Sequence, residues 1–412
     1  MQGRIKYILL QMLVVLISPL SSFLISVRYY KYNVSQIFFI IAAVYLGCNM
    51  GFVYDLMRHY QDIGNLYVDR SLGEILDDPR VFILGPDYYH ITIKYIVSRF
   101  TTSASVFAGV AALVYSSCFI FFYRQLSQFY KQKLALFSVM LLLCTVTIIE
   151  FWWYQGVRFW TGAFYFFGMY LKYVNTRKKR YFLLSFLAVY FHYSLITLIC
   201  VSLVNFVLSF ITPYVRYGLL AFSLFYKTLN VDFVPLLLKY IPWVRNNLSI
   251  AVTDEKIHNS WREHTAEFRA NENLVYGYRL PFLMLAAYLV LLFFRLHGVK
   301  LDKQYKILFF FSLTLWTVAN FGFGDITFYT RFLEGSVLML YAYVFIVSVK
   351  NQERITHYRL VLFVFLFLPA IYAILTPLVQ YRAHLMHPEL FLGNFFMEWD
   401  GNGLKIDYAW KN

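Results

Sequence analysis

Residues 152–197, WWYQGVRFWTGAFYFFGMYLKYVNTRKKRYFLLSFLAVYFHYSLIT, decide the reading of this chain. Two apolar runs flank a basic turn, Arg177-Lys178-Lys179-Arg180, in the manner of two membrane-crossing helices joined at the face that retains positive charge. Each run carries one ionisable side chain, Arg158 in the first and His192 in the second. Arg158 lies 19 residues before Arg177 and His192 lies 12 after Arg180, so at roughly 1.5 Å per residue their depths differ by only about 10 Å. A long arginine side chain covers much of that gap. The spacing therefore predicts one site for both groups, near the face opposite the basic turn.

The rest of the chain agrees with that setting. It is 60% hydrophobic and 14% charged over 412 residues, with a mean hydropathy of +0.56. Its apolar windows are of the length that a hydrocarbon core about 30 Å thick demands. An all-α polytopic membrane protein is expected, a single membrane domain over 1–412 with no soluble domain, linker or internal repeat. Windows fall near 6–26, 34–54, 103–123, 134–154, 157–174, 181–203, 205–226, 276–297, 305–324, 328–348 and 358–378, with a weaker one near 231–250. The expectation is about twelve spans, within a range of about 10–13. The net charge of +15 sits in short turns, which speaks for membrane orientation and lipid headgroups and against nucleic acid as a partner. Cys48, Cys118, Cys144 and Cys200 each fall in an apolar window with no CxxC pair, as packing residues do. Arg4, Lys6 and the following apolar run read as an uncleaved first helix.

Basic residues set the orientation. Arg124, Lys131 and Lys133, then Arg177 to Arg180, then Arg295, Lys300, Lys303 and Lys306, then Lys350, Arg354 and Arg359 mark four cytoplasmic loops. They agree in parity if 231–250 crosses. The loops 55–102 and 244–275, the turn 322–328 and the tail 379–412 then lie on the outer face, and parity alone puts the N-terminus outside as well. Within the first outer loop, Asp55, Arg58, His59 and Asp62 share one helical face at i, i+3, i+4 and i+7, either as internal ion pairs or as part of a site. Residues 86–100, PDYYHITIKYIVSRF, predict a helix lying in the interface. Loop 244–275 reads as a solvated loop, or as a lid or acceptor cradle. In NFGFGDITFYTRFLE (320–334), Arg331 enters a span, with Asp325 or Glu334 as a structural partner or a bound anion as a functional one.

Arginines 58, 158 and 331 thus gather towards one face, as suits a bound phosphate. His192 is a ready proton acceptor beside them, since its ordinary pKa lies near working pH. No HExxH, EF-type loop, Walker A sequence or dinucleotide fingerprint is present, so no metal site and no cofactor is expected.

The run from Gly156-Val-Arg158 through the basic turn to Leu187-Ala-Val-Tyr-Phe191-His192-Tyr193-Ser194 resembles the EpsG-like family of Wzy-type polysaccharide polymerases. Tyr54-Asp55 to Asp62, Gly85-Pro-Asp-Tyr-Tyr89 and Thr330-Arg331-Phe332 are similar to that family too. Phe159 departs from it, since glutamine is common there after the arginine. The resemblance implies a glycosyltransferase of the bacterial cytoplasmic membrane, with a GT-C-like architecture compatible with the span count. It would join oligosaccharide units carried on undecaprenyl pyrophosphate at the outer face, in company with a flippase and a chain-length regulator. Arg158 and Arg331, with Arg58, would hold the pyrophosphate, and His192, Asp55 or Asp62 would take the acceptor proton, with His59 and Asp325 as further candidates. Two other readings stay open: a membrane O-acyltransferase, which would use a cytoplasmic acyl donor, and a flippase or transporter of lipid-linked sugars, which should show repeated halves and a central charged path.

Overall fold

The computed structural model describes residues 2–18, 33–49, 59, 61–82, 87–129, 157–228, 279–299, 304–322 and 326–355, with isolated positions at 21, 22, 25, 26, 141, 142, 145, 148, 149 and 358. Among these there is helix and turn and no strand, so the all-α expectation holds for the described residues. The longer helices are α1 (Gln2–Ile17), α2 (Asn33–Asn49), α4 (Tyr88–Ser98), α5 (Ala104–Ser127), α6 (Phe159–Thr176), α9 (Ile196–Leu208), α10 (Pro213–Thr228), α11 (Arg279–Leu296), α12 (Lys306–Phe321) and α13 (Ile326–Lys350). Shorter ones are α3 (Leu72–Leu76), α7 (Lys179–Ser185), α8 (Ala188–Phe191) and α14 (Gln352–Ile355).

Two helices, Ala104–Ser127 and Phe328–Lys350, are long and apolar enough to cross a membrane. Shorter apolar helices surround them, and their outward faces carry Leu9 and Leu13 on α1, Phe206 and Val207 on α9, and Leu285 and Leu292 on α11. Polar side chains turn inward instead: Ser312 and Ser336 bond across the α12–α13 contact, and Asn320 donates to Ser223 at 3.0 Å. An apolar exterior over bonded polar groups is the pattern a lipid solvent selects.

The described parts of the four basic loops meet at one end of the bundle. Arg177 donates to the Gln304 carbonyl at 3.0 Å, Gln304 donates to the Val174 carbonyl at 2.8 Å, and Asn175 reaches Gln128 at 3.4 Å. Lys350 sits 4.2 Å from the Tyr305 ring centroid, and Arg354 donates to the Gly298 carbonyl at 2.8 Å. Their shared end agrees with the charge reading. α2 is antiparallel to α5, with Phe39 stacked on Phe119 and Gly47 closing on Ala108 and Ala112. Asn33 therefore lies at the basic end. Tyr7 Oη is 2.5 Å from Ser35 Oγ, so the start of α1 lies there too, and Ser22 donating to Gln11 at 2.9 Å marks a chain that has already doubled back. That reverses the outer N-terminus expected from parity, which assumed a full crossing over 6–26.

Residues 181–203, expected as one span, reverse direction part-way. α7 and α8 climb from the basic turn along α6, with Tyr173 against Phe182 and Tyr165 against Phe191. At His192 the chain reverses. α9 then descends parallel to α6 until Asn205 donates to the Ile307 carbonyl at 3.2 Å, at the basic end. Residues 179–208 are thus a helical hairpin that enters and leaves by one end. The reversal at His192, rather than the length of either arm (about 13 residues, roughly 20 Å), is what rules out one continuous span over 181–203. Gly162 makes the close approach possible: a Cβ there would meet Phe191 Cβ at 2.6 Å as well as Leu195. α10 rises beside α12, with Arg216 over Phe310 and Tyr226 against Phe321. Parity is therefore kept without a crossing at 231–250, a window outside the described residues, as are 244–275, the window 358–378 and the tail 379–412.

The far end carries a folded cap built from 61–82 and 87–103. The helix expected over 86–100 is α4, but its His90 and Lys94 point inward, Lys94 with only 1% exposure. A small core of Leu66, Tyr67, Ile75, Val81 and Ile91 holds the cap, and Asp78 ties Arg70 and Arg80.

Single cysteines at Lys179 and Ser209, in a background lacking native cysteines, are expected to react with an impermeant reagent from the same side of the membrane, and one at Thr101 from the other. Reaction of 179 and 209 from opposite sides would mean one continuous span.

Candidate functional site

The site grows from the break at the hairpin tip. His192 is extended (φ −156, ψ 126) between α8 and a 3-10 turn, Tyr193–Leu195, that leads into α9. A break within apolar packing leaves backbone N–H groups that need acceptors. Tyr193 N–H donates to Asp87 Oδ1 at 2.7 Å, Ser194 N–H to His192 Nδ1 at 3.2 Å, and Leu195 N–H to the His192 carbonyl at 3.0 Å. Two side chains from different segments thus cap the tip.

Asp87 is the centre of the arrangement. It precedes α4 at the position where an aspartate ordinarily caps its own helix, yet its side chain makes no such bond. Its carboxylate is fully buried and turns to Arg158, whose Nη1 donates to Oδ2 at 2.6 Å. Arg158 is the boundary residue before α6, without a side-chain capping bond, and is 8% exposed. Just before it, Val157 adopts φ +54, a left-handed conformation that is costly for a β-branched side chain, on the order of 1–3 kcal/mol. That strain falls on the residue next to the arginine. His192 Nε2 lies 3.9 Å from the same Asp87 oxygen.

The hydrogen bonds fix the histidine's tautomer. Nδ1 accepts from the Ser194 N–H, so in the neutral ring the proton is on Nε2, facing Asp87. Phe159 supplies a wall: its ring stands edge-on to His192 at 5.7 Å and carries the Arg331 guanidinium at 5.0 Å from its centroid. The charge of Arg331 acts on both Asp87 and His192. The helix starts of α4 and α6, with the turn into α9, surround the carboxylate and add their positive ends to the two guanidinium groups. Chemically this is a buried carboxylate held among positive groups.

The predicted residues divide accordingly. Arg158, His192 and Arg331 come together as expected, at the end away from the basic loops. Asp62 does not join them: it is paired with Lys94 at 2.5 Å, about two turns along α4 from Asp87. His59 lies against His90 with their rings tilted, 5.2 Å between centroids, one turn from Asp87, and burial pushes the His90 imidazole down to about 2, so it is neutral. Asp55, Arg58 and Asp325 lie outside the described residues. Asp87 and Phe159 were missed as site residues. The signal for Asp87 was an acid directly before an apolar helix, which reads first as a cap.

Set beside known protein families, curated proteins and solved structures, the chain matches none.

Burial pushes the Asp87 carboxyl up to about 6, against the opposing pull of Arg158, the Tyr193 N–H and Arg331. Because the value is raised, the group is ionised above about 6 and protonated below it. Infrared difference spectra are expected to show a protonated-carboxyl band that grows as pH falls through about 6 and is absent from Asp87→Asn. A band titrating only near the ordinary carboxylate value of about 4 would contradict the buried setting.

Proposed function

We propose that this chain is a multi-pass glycosyltransferase of the bacterial cytoplasmic membrane, of the EpsG-like, Wzy-type kind. It would join undecaprenyl-pyrophosphate-linked oligosaccharide units into a surface polysaccharide at the outer face. The observation that carries the reading is the convergence of Arg158, Arg331 and three helical starts on one buried carboxylate beside His192, at the end of the bundle away from the basic loops. Two guanidinium groups and oriented N–H dipoles suit a diphosphate, whose charge they stabilise as it leaves. A diphosphate is already a good leaving group, so the protein's work is to hold it, exclude water and take one proton. The Asp87–His192 pair lies where that proton would go. Asp62 has no part in this step, being held by Lys94.

The bundle is read as crossing the membrane with α2, α5, α6, α10, α11, α12 and α13, and as entering it from the cytoplasmic face with the 179–208 hairpin. The position of His192 far from the basic loops disfavours an acyltransferase fed from the cytoplasm. Among the described residues the charges of the site, Asp87, Arg158 and Arg331, sit together at the end away from the basic loops, an arrangement that favours a transferase over a transporter with a charged central path.

Arg158→Ala and His192→Ala are each expected to cut polymer yield and length in cells, by about 10²–10³-fold in rate for the arginine if it stabilises the leaving charge. Purified protein should elongate lipid-linked units without added nucleotide. Unchanged polymer in both variants would overturn the proposal.

A further inference from the structure

We infer that Asp87 is an internal stand-in for the substrate's diphosphate: the incoming diphosphate takes its place on Arg158, and the released carboxylate then accepts the proton of the acceptor hydroxyl. This rests on the function proposed above and specifies which residue does the acid–base work in it.

Three observations carry the inference. The carboxylate fills the position an anionic ligand needs, with Oδ2 on the Arg158 guanidinium at 2.6 Å and Oδ1 on a main-chain N–H at 2.7 Å. It does so at the cost of leaving its own helix uncapped, so α4 itself does not require that placement. Third, His192 cannot take a proton at the nitrogen that faces the reaction space. Its Nε2 already carries one, because Nδ1 is held as an acceptor by Ser194. The ring presents its Nε2–H on the side of Asp87, 3.9 Å from Oδ2, and so can donate to an anion that takes the carboxylate's place. His90, buried and neutral one turn away, has no carboxylate's basicity to offer. Asp62 is held by Lys94. Of Asp87, Asp62 and His90, Asp87 is the one that lies on the Arg158 guanidinium.

The step balances. The acceptor hydroxyl oxygen forms a bond to the anomeric carbon of the donor sugar. The bond from that carbon to the diphosphate oxygen breaks, and its electron pair leaves with the lipid diphosphate, held by Arg158 and Arg331. The hydroxyl proton passes to Asp87, which gives it to water when the diphosphate departs and the carboxylate returns to Arg158. The exchange couples binding to activation: only a site that holds a diphosphate has a free base.

The test uses the full-length protein in detergent, with inorganic pyrophosphate as the binding probe and elongation of lipid-linked units as the activity. Removing an internal competitor raises apparent affinity by the inverse of the fraction of sites that were open. Asp87→Asn is expected to bind pyrophosphate about tenfold more tightly than the wild type while elongation falls by about 10²-fold or more. Asp87→Ala should repeat the pattern if the asparagine variant folds poorly, and Arg158→Gln should lose pyrophosphate binding in either background. A merely structural aspartate would lower binding and turnover together. If the wild type binds pyrophosphate and neither Asp87 variant binds it more tightly, the stand-in role is overturned and the proposed function survives. If no form binds pyrophosphate, the proposed function falls and this inference with it.

Discussion

The ion pair between Asp87 and Arg158 is the constraint on which the rest of the structure depends. A buried pair of charges is tolerated only when both members keep their partners, and removing one leaves an uncompensated charge that costs about 3–5 kcal/mol. Here the two partners come from separate parts of the chain: the cap at the far end contributes Asp87, and the start of α6 contributes Arg158. The same carboxylate also accepts from the Tyr193 N–H at the tip of the 179–208 hairpin. One carboxylate therefore locks cap, through-helix and hairpin to a common level. Each segment taken alone would have an unmet charge or N–H in apolar surroundings.

The hairpin shows how an apolar fold accommodates irregular backbone. Non-helical residues at membrane depth persist only where protein groups satisfy them. At this tip the N–H groups of residues 193, 194 and 195 are all accounted for, by Asp87, by the His192 ring and by the His192 carbonyl. The bonds that make the break tolerable also fix the imidazole tautomer and aim its Nε2–H at the carboxylate. Local satisfaction and site chemistry are thus one arrangement. The strained Val157 backbone belongs to it as well, since it immediately precedes Arg158.

Much of this was legible in the sequence, for physical reasons. The common depth of Arg158 and His192 follows from helical rise alone, and the gathering of the basic loops follows from charge retention. The hairpin was not legible, because its two arms have the apolarity of a crossing helix; only His192-Tyr193-Ser194 interrupts them, and a lone histidine does not announce a reversal. The first window, 6–26, failed in the same way. Asp87 was hidden by its place at the start of α4, where capping is the ordinary use of an acid. Asp62 was overvalued because its face of like-spaced charges suggested a site, whereas its partner is Lys94, 32 residues on. Partners so far apart are set by tertiary packing and leave no local spacing to read. Phe159, conspicuous as an apolar residue after the arginine, became intelligible only once Arg331 was found against its ring.

The central claim, that Asp87 and Arg158 form one buried electrostatic unit, is tested most directly by a double-mutant cycle on melting temperature in detergent. Asp87→Asn and Arg158→Gln should each destabilise the protein strongly, while the double variant should melt no lower than the less stable single one, because no unpaired charge remains. Losses that simply add would contradict the account.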